Sequence, residues 1–480
     1  MKAFQYLSIA DELEKLINTE VYPVGQKLPS LRLISLRFRV SVGTVLKAFM
    51  LLIDKGLILG KERSGYVVLR KSILNADLPQ SCKRVSAASE VRVNPLLHEI
   101  SREGQEHKSF ISFFNAVLDP GLLPLNAIRR SLQHASRDLT GAHLLYEQAN
   151  GNPLLRQAIA GRSFRWFGAL HAEDVVITNG ALEAVNLCLR AVAEKGDTIV
   201  VETPFYYGIL QTIEALGLKI VELPGDTLSG IDLDQLAQVC EEHQVAACVL
   251  ISNFNNPNGA MLSDQKKRDI AAFAKRKRIP IIDDDIYGDL HFDAERPSNI
   301  KSYDEDGWVM LCSSFSKSVA PGYRVGWCAP GRFTEKVIRL KAVTNVATAS
   351  VVQLSLLQLL NTGAYDRHLR RLRPELHKLM LLTLQAIAQY FPLETKVSRP
   401  KGGLVLWIEL PKGVDAVVLH QKAIAAHIQI APGGLFSNRG DYTNYIRMSC
   451  SNLWSKKIEQ AIRQLGNMIR DEMKKRTINF

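Results

Sequence analysis

The sequence predicts an α/β main domain built on a mostly parallel sheet, with a small, basic, helical domain ahead of it. Three observations carry that expectation. Beyond residue 110, short apolar runs alternate with helical stripes, the pattern of strands and helices packed in layers. Before residue 70, three amphipathic stretches precede two short extended ones. Between them, residues 71–108 hold small and polar residues without a sustained apolar stripe, as an interdomain tether does.

At 480 residues the chain has room for about three units of ~150 residues, and 46% apolar content can fill their cores. Against 48 acidic residues, 60 basic ones leave a net charge of +12, which favours polyanionic partners without specifying one. The seven cysteines are odd in number and nowhere arranged C-x-x-C. That argues against a disulfide framework and a zinc site, and fits a reducing, cytoplasmic setting. No apolar run reaches ~18 residues and no charged-then-apolar leader opens the chain, so no membrane partner is expected.

In the basic domain, Ile9, Leu13, Leu16 and Ile17 share one helical face. Ser30 fits as the N-cap of a helix over residues 31–38. Ser41 caps another that buries Val45, Ala48, Phe49 and Leu52 and stops at Gly56. Extended residues 57–59 and 66–69 flank a turn over 61–65. Helix, helix, turn, helix, hairpin is the order of a winged helix-turn-helix, whose third helix enters the major groove of double-stranded DNA. Residues 1–80 hold 12 Lys and Arg against 7 Asp and Glu, the electrostatic footprint of a DNA reader.

Leu28-Pro29-Ser30-Leu31-Arg32, then Val40-Ser41-Val42-Gly43-Thr44-Val45-Leu46-Lys47-Ala48-Phe49, then Ser64-Gly65-Tyr66-Val67-Val68 resemble the winged helix of GntR-type bacterial transcription regulators. The resemblance implies DNA-facing roles for Ser30, Arg32, Thr44 and the wing Gly65. That family often has a basic or polar residue where Gly43 stands. Base readout here is therefore expected from neighbours such as Ser41, Thr44 and Lys47.

In the main domain, residues 175–177, 198–201, 246–252, 279–282 and 309–311 read as strands. Functional groups in such sheets gather at the carboxyl ends of the strands. After the first, Gly180, Ala181 and Leu182 open a helix whose N–H groups and dipole suit a phosphate. After the second stands Tyr206, in an aromatic cluster able to stack on a planar ring. Next come the amide-bearing turn Asn255-Asn256-Pro257-Asn258-Gly259 and the run Asp283-Asp284-Asp285-Ile286-Tyr287. Adjacent strand residues point to opposite faces, so the three carboxylates cannot converge on one metal ion, whereas one aimed inward suits a cationic ring nitrogen.

Last in order is Lys317, among small hydroxyl residues, with Arg324 seven positions later. A lysine beside a second cation has a lowered pKa and attacks an aldehyde, while an arginine forks a phosphate. A phosphate cup (Gly180, Ala181, Leu182, Ser314, Arg324), a stacking Tyr206, a carboxylate at Asp284, phenolate donors Asn256 and Tyr287 and the amine of Lys317 together describe pyridoxal 5'-phosphate.

Residues 110–470 resemble the pyridoxal-phosphate-dependent fold type I aminotransferases through the NPNG turn at 256–259, D-x-x-Y at 284–287 and SSFSKSVAPGYR at 313–324. The resemblance implies that Lys317 is the Schiff-base lysine and that Tyr146 reaches the cofactor phosphate of a partner subunit. It also implies that Arg447, in Tyr445-Ile446-Arg447-Met448-Ser449, grips an α-carboxylate.

A GntR-type winged helix joined to such a domain is similar to the MocR family of bacterial regulators. This implies a homodimeric transcription factor that senses pyridoxal phosphate or a small amino effector. The alternative expectation is a catalytically active class I/II aminotransferase with an accessory DNA-binding domain. The expected boundaries are 1–70 for the winged helix, 71–108 for the linker and 109–475 for the aminotransferase-like domain. Within the last, the large part covers about 146–345 and the small part about 109–145 and 346–475.

Overall fold

The computed structural model describes residues 5–61, 65–68, 78–82, 84–92, 95, 97, 99, 100, 102 and 110–477. The wing turn at 62–64, the end of the second extended stretch at 69, and linker positions 71–77, 83, 93, 94, 96, 98, 101 and 103–108 lie outside the described residues. The chain divides into two compact units. One comprises Met1–Asp77, Lys378–Val397 and Trp454–Phe480, and the other Leu78–His377 and Ser398–Leu453.

The first unit opens with α1 (Gln5–Asn18), α2 (Leu31–Phe38) and α3 (Val42–Asp54). An antiparallel hairpin of β1 (Ile58–Lys61) and β2 (Gly65–Val68) follows. Helical spacing explains the packing: Ile9, Leu13 and Ile17 of α1, Ile34 of α2, and Val45, Ala48, Phe49 and Leu52 of α3 meet Leu57, Ile58 and Val68 in one core. Both expected N-caps form. Ser30 Oγ accepts the Leu33 N–H at 3.2 Å, and Ser41 Oγ accepts the Thr44 N–H at 3.1 Å. The tight break between α2 and α3 is made by Arg39 in the left-handed region, at φ 52.

In the second unit, one sheet takes β3 (Val176–Thr178), β4 (Thr198–Thr203), β5 (Lys219–Asp226), β6 (Val245–Leu250), β7 (Ile281–Asp284), β8 (Val309–Ser314) and β9 (Gly326–Ala329). Their spatial order is β5–β4–β6–β7–β8–β9–β3. From β5 to β8 all neighbours are parallel, and β9 runs antiparallel to both β8 and β3. So β3 points the same way as the rest. The strands are buried almost throughout, as continuous Val, Ile and Leu runs require when both faces of a parallel sheet are covered. A smaller antiparallel sheet holds β10 (Val405–Glu409), β11 (Ala431–Pro432) and β12 (Tyr445–Ser449), with β12 in the middle.

Among the described residues no helix is long and apolar enough to cross a membrane, and no group of His, Cys, Asp and Glu could hold a metal ion. All seven cysteines are free thiols.

One contact sets the position of the site. Gly326, at the start of β9, pairs with Ser314 on one side and Thr178 on the other, and faces the N-terminus of α4 (Ala181–Val192). A Cβ on Gly326 would stand 2.7 Å from Gly180 Cα and 2.8 Å from the Ala181 nitrogen. Gly326→Ala must therefore push strand and helix apart. The expected cost is about 1–3 kcal/mol, read as a lower thermal midpoint of the cofactor-free protein; an unchanged midpoint would contradict this packing.

Candidate functional site

Because β3, β4, β6, β7 and β8 all point one way, their carboxyl ends share one edge of the sheet. The segments leaving that edge carry Gly180, Tyr206, Asn256, Tyr287 and Lys317.

At one end of the site the first turn of α4 leaves backbone N–H groups without helical partners, at the positive end of its dipole. Gly180 precedes it at φ 97, a conformation that favours glycine. Arg324, itself left-handed at φ 49, turns its guanidinium back onto this turn. Its Nη2 donates to the Asn179 carbonyl at 2.6 Å and its Nη1 to Ser316 Oγ at 3.4 Å. A side chain on Gly180 would run into that guanidinium. Ser314 Oγ accepts the Ser316 N–H at 3.0 Å, which closes the loop before Lys317. Gly180, Ala181, Leu182, Ser314 and Arg324 are thus brought together, and the arrangement suits a phosphate.

The three adjacent aspartates meet three fates, and alternation along the strand sets Asp284 on the face opposite Asp283. Asp283 accepts from the Ser252 N–H at 3.1 Å, Ser252 Oγ at 2.9 Å and the Ile300 N–H at 3.0 Å. Asp285 pairs with Arg296 at 2.7 Å. Asp284 is buried with Oδ1 lacking any hydrogen-bond partner. Burial first, then Asp283 and Asp285, push its carboxyl up to about 8, with Lys317 opposing. The Tyr287 hydroxyl is likewise buried without a partner, and burial raises it above its ordinary value. Asn256 offers Oδ1 to Arg447 Nη1 at 3.1 Å, leaving its amide NH2 as a donor. Burial also raises the Tyr206 hydroxyl, and its further electrostatic neighbours, Tyr207, Tyr287, Arg447 and Asp284, place it in the same site.

Lys317 Nζ donates to the Ala116 carbonyl at 2.7 Å. Burial first, then Arg447, lower this amine to about 8, with Asp284 opposing and Arg324 adding. Arg447 is fully buried between the rings of Phe114 and Phe436, whose centroids lie 5.8 and 5.2 Å from its guanidinium carbon. One Nη donates to the Phe114 carbonyl, Nε has no partner, and among the described residues no acidic side chain pairs with it. The orphaned Asp284 and Tyr287, the helix-end cup and the low-pKa amine fit pyridoxal phosphate: a cationic ring nitrogen, a ring oxygen, a phosphate and an aldehyde answer them in turn.

Tyr146 stands apart from this cluster, 89% exposed. In the first unit, Arg32 and Lys47 are exposed and form no ion pair among the described residues. Ser30, Ser41 and Thr44 take part in the two caps, and Gly65 opens β2 at φ 83. Sequence reasoning missed Ser316, although it lies inside the lysine motif, and missed Phe114, Ala116 and Phe436, whose roles arise only where distant segments meet.

A lysine beside a helix-end phosphate cup and an unpaired buried acid, on the carboxyl edge of a parallel sheet, defines the cofactor site of the aminotransferase class. Residues 115–465 match the family Aminotransferase class I and II, and residues 5–68 match Bacterial regulatory proteins, gntR family. The chain is 37% identical to the HTH-type transcriptional regulator YdcR of Escherichia coli (strain K12), over 98% of this chain and 100% of that one. It is 34% identical to YjiR of the same strain, over 97% and 98%. Among solved structures, LysN, the α-aminoadipate aminotransferase of Thermus thermophilus, complexed with N-(5'-phosphopyridoxyl)-L-leucine, aligns with a TM-score of 0.72. The identity is 28%, covering 78% of this chain and 95% of that one. With both parts matched along one chain, this protein belongs to the MocR-type regulators of the GntR superfamily, in which a winged helix-turn-helix is joined to an aminotransferase-like domain.

The electrostatics set a pH test. In the cofactor-free protein, arylation of the Lys317 peptide by trinitrobenzenesulfonate, followed by mass spectrometry, should rise through about pH 8. An ordinary lysine rises near ~10.4. Arg447→Leu removes a charge that lowers this pKa, so the inflection should move upward; an inflection that stays put would exclude the Arg447 effect.

Proposed function

We propose that the chain is a pyridoxal-phosphate-dependent bacterial transcriptional regulator that responds to a small amino compound bearing an α-carboxylate. The observation that carries the reading is Arg447, fully buried, aimed among site residues and without an acidic partner among the described residues. A buried guanidinium without a counter-charge is costly, and a ligand carboxylate would relieve it.

Pyridoxal phosphate, when bound, supplies an aldehyde and an electron-withdrawing ring. The chain does the rest. The N–H groups after Gly180, with Ser314 and Arg324, would hold the phosphate. Asp284 would keep a proton on the ring nitrogen, Asn256 and Tyr287 would donate to the ring oxygen, and Tyr206 would cover one face. Lys317 would offer a neutral amine from about pH 8 upward. An amino effector would set its carboxylate on Arg447 and its amine beside Lys317. It then shifts the protein between states by its difference in affinity for them.

The protein is proposed to act in the cytoplasm as a homodimer presenting two winged helices to two DNA half-sites. Tyr146 supports this: it extends from Leu144 and Leu145, both exposed, an apolar stretch suited to a partner subunit whose cofactor phosphate it would reach. In this reading residues 1–70 bind DNA, 71–108 tether and 109–475 sense. A second reading, full transaminase turnover, is favoured by the retention of both the low-pKa Lys317 amine and Asp284. Sustained turnover with a keto acid would place catalysis first.

Purified protein given pyridoxal phosphate should turn yellow, and borohydride should fix the cofactor on the peptide containing Lys317. A protein that stays colourless would sink the sensor reading. Arg447→Leu should still take up the cofactor yet need about tenfold or more amino compound for the same spectral change, the loss expected for a charged hydrogen-bonded pair. Equal titration curves would remove Arg447 from effector binding.

A further inference from the structure

One exposed row of α3 is apolar where a DNA-reading helix ordinarily carries hydrogen-bonding side chains. Val42, Leu46 and Met50, four residues apart, form one row that flanks the buried stripe Val45, Ala48, Phe49 and Leu52 and borders Gly43 and Lys47 on its outer side. They are 43%, 38% and 55% exposed. An apolar row left in water on a small domain marks a contact surface.

We propose that this row reads the C5-methyl groups of thymines in the major groove, so that the chain selects DNA by apolar contact more than by hydrogen bonds to base edges. The proposal rests on the DNA-binding reading of the first unit and names what that site recognises.

The chemistry of positions 41–50 leaves few other means of readout. Bidentate recognition of guanine needs Arg or Lys and that of adenine needs Asn or Gln, whereas the thymine methyl accepts apolar side chains. The segment contains no Arg, Asn or Gln. Ser41 and Thr44 are engaged at the helix start: Ser41 Oγ accepts the Thr44 N–H at 3.1 Å, and the two hydroxyls lie 2.9 Å apart. Lys47 is the single charged residue among them.

Gly43 adds to the argument. A Cβ there would meet only Ser41 Oγ, at 3.7 Å, so the local packing has room for a side chain. Its absence lets Val42 and Leu46 approach the groove floor. Charge identifies the occupant: Lys27, Arg32, Arg39 and Lys47 are exposed and form no ion pair among the described residues. An apolar row beside Lys47, on a unit that presents these unpaired cations, suits a polyanion that carries methyl groups, which thymine-bearing duplex DNA does.

The test uses the full-length protein. A binding site is first selected from a pool of random duplexes at fixed salt, then resynthesised with deoxyuridine for thymine, which removes only the methyl. Each contacted methyl lost should weaken binding about fourfold, the value of one buried methyl-sized group. Leu46→Ala and Met50→Ala should weaken binding to the thymine duplex and shrink the difference between thymine and uracil. Lys47→Ala should weaken both duplexes alike and reduce the salt slope by about one. Equal affinity for both duplexes overturns methyl readout and leaves DNA binding standing. So does a Leu46→Ala variant that weakens both duplexes equally, or one whose only change is in oligomeric state. A protein that selects no duplex at all overturns the DNA-binding reading beneath the proposal.

Discussion

An acid and a guanidinium are buried in one site, each with an atom that the chain itself leaves without a hydrogen bond. Asp284 presents a carboxylate oxygen and Arg447 a guanidinium nitrogen that nothing satisfies. Each unsatisfied buried group costs about 1–3 kcal/mol, and more where it is charged. The surrounding structure must hold them apart by other means. It does so with two buried strands of different sheets: Asp284 ends β7 of the parallel sheet and Arg447 lies within β12 of the smaller one, so neither side chain can swing out to water without dismantling a strand.

The remaining groups of the site depend on the same frame. Lys317 leaves β8 from a loop tied by Ser314 and Ser316, and its lowered amine pKa follows from burial beside Arg447. The cup exists because β9 runs against its neighbours and brings Gly326 onto Gly180, where any side chain would clash. Arg324 turns back because the single residue between it and β9 leaves little other route. Strand direction, glycine and arginine are here parts of one geometric solution.

Much of this was legible in the sequence because a parallel sheet announces itself twice. Its strands are apolar runs, and its chemistry lies just after them. Tyr206, Asn256, Asp284, Tyr287 and Lys317 were all singled out by their place after such runs. The strands that escaped notice break the pattern. β5 carries Glu222 and Pro224 in its interior, and the glutamate is tolerated because Arg439 and the Asn438 N–H, from far along the chain, meet it at 3.3 and 2.9 Å. β9 has only Gly-Trp-Cys-Ala and follows the lysine motif after a single residue. Phe114 and Phe436 offer no spacing signal, since their role is to flank a side chain remote from both. That Asp284 lacks a partner while Asp283 and Asp285 have theirs follows from three-dimensional neighbours, although alternation along the strand already separated them.

The two sites share a physical logic. In the second unit the chain leaves buried polar groups unsatisfied, which specifies a ligand with complementary polar groups. In the first it leaves both apolar side chains and cations uncovered, which suits a surface both anionic and locally apolar. A free chain bears a cost in each case, and a ligand removes it. Gly43 shows how small the sequence change behind such a difference can be: a polar side chain at that one exposed position would offer a hydrogen bond to a base edge, and its absence leaves the row Val42, Leu46 and Met50 beside Lys47. The unit that senses is therefore defined by what it lacks inside, and the unit that binds DNA by what it leaves outside.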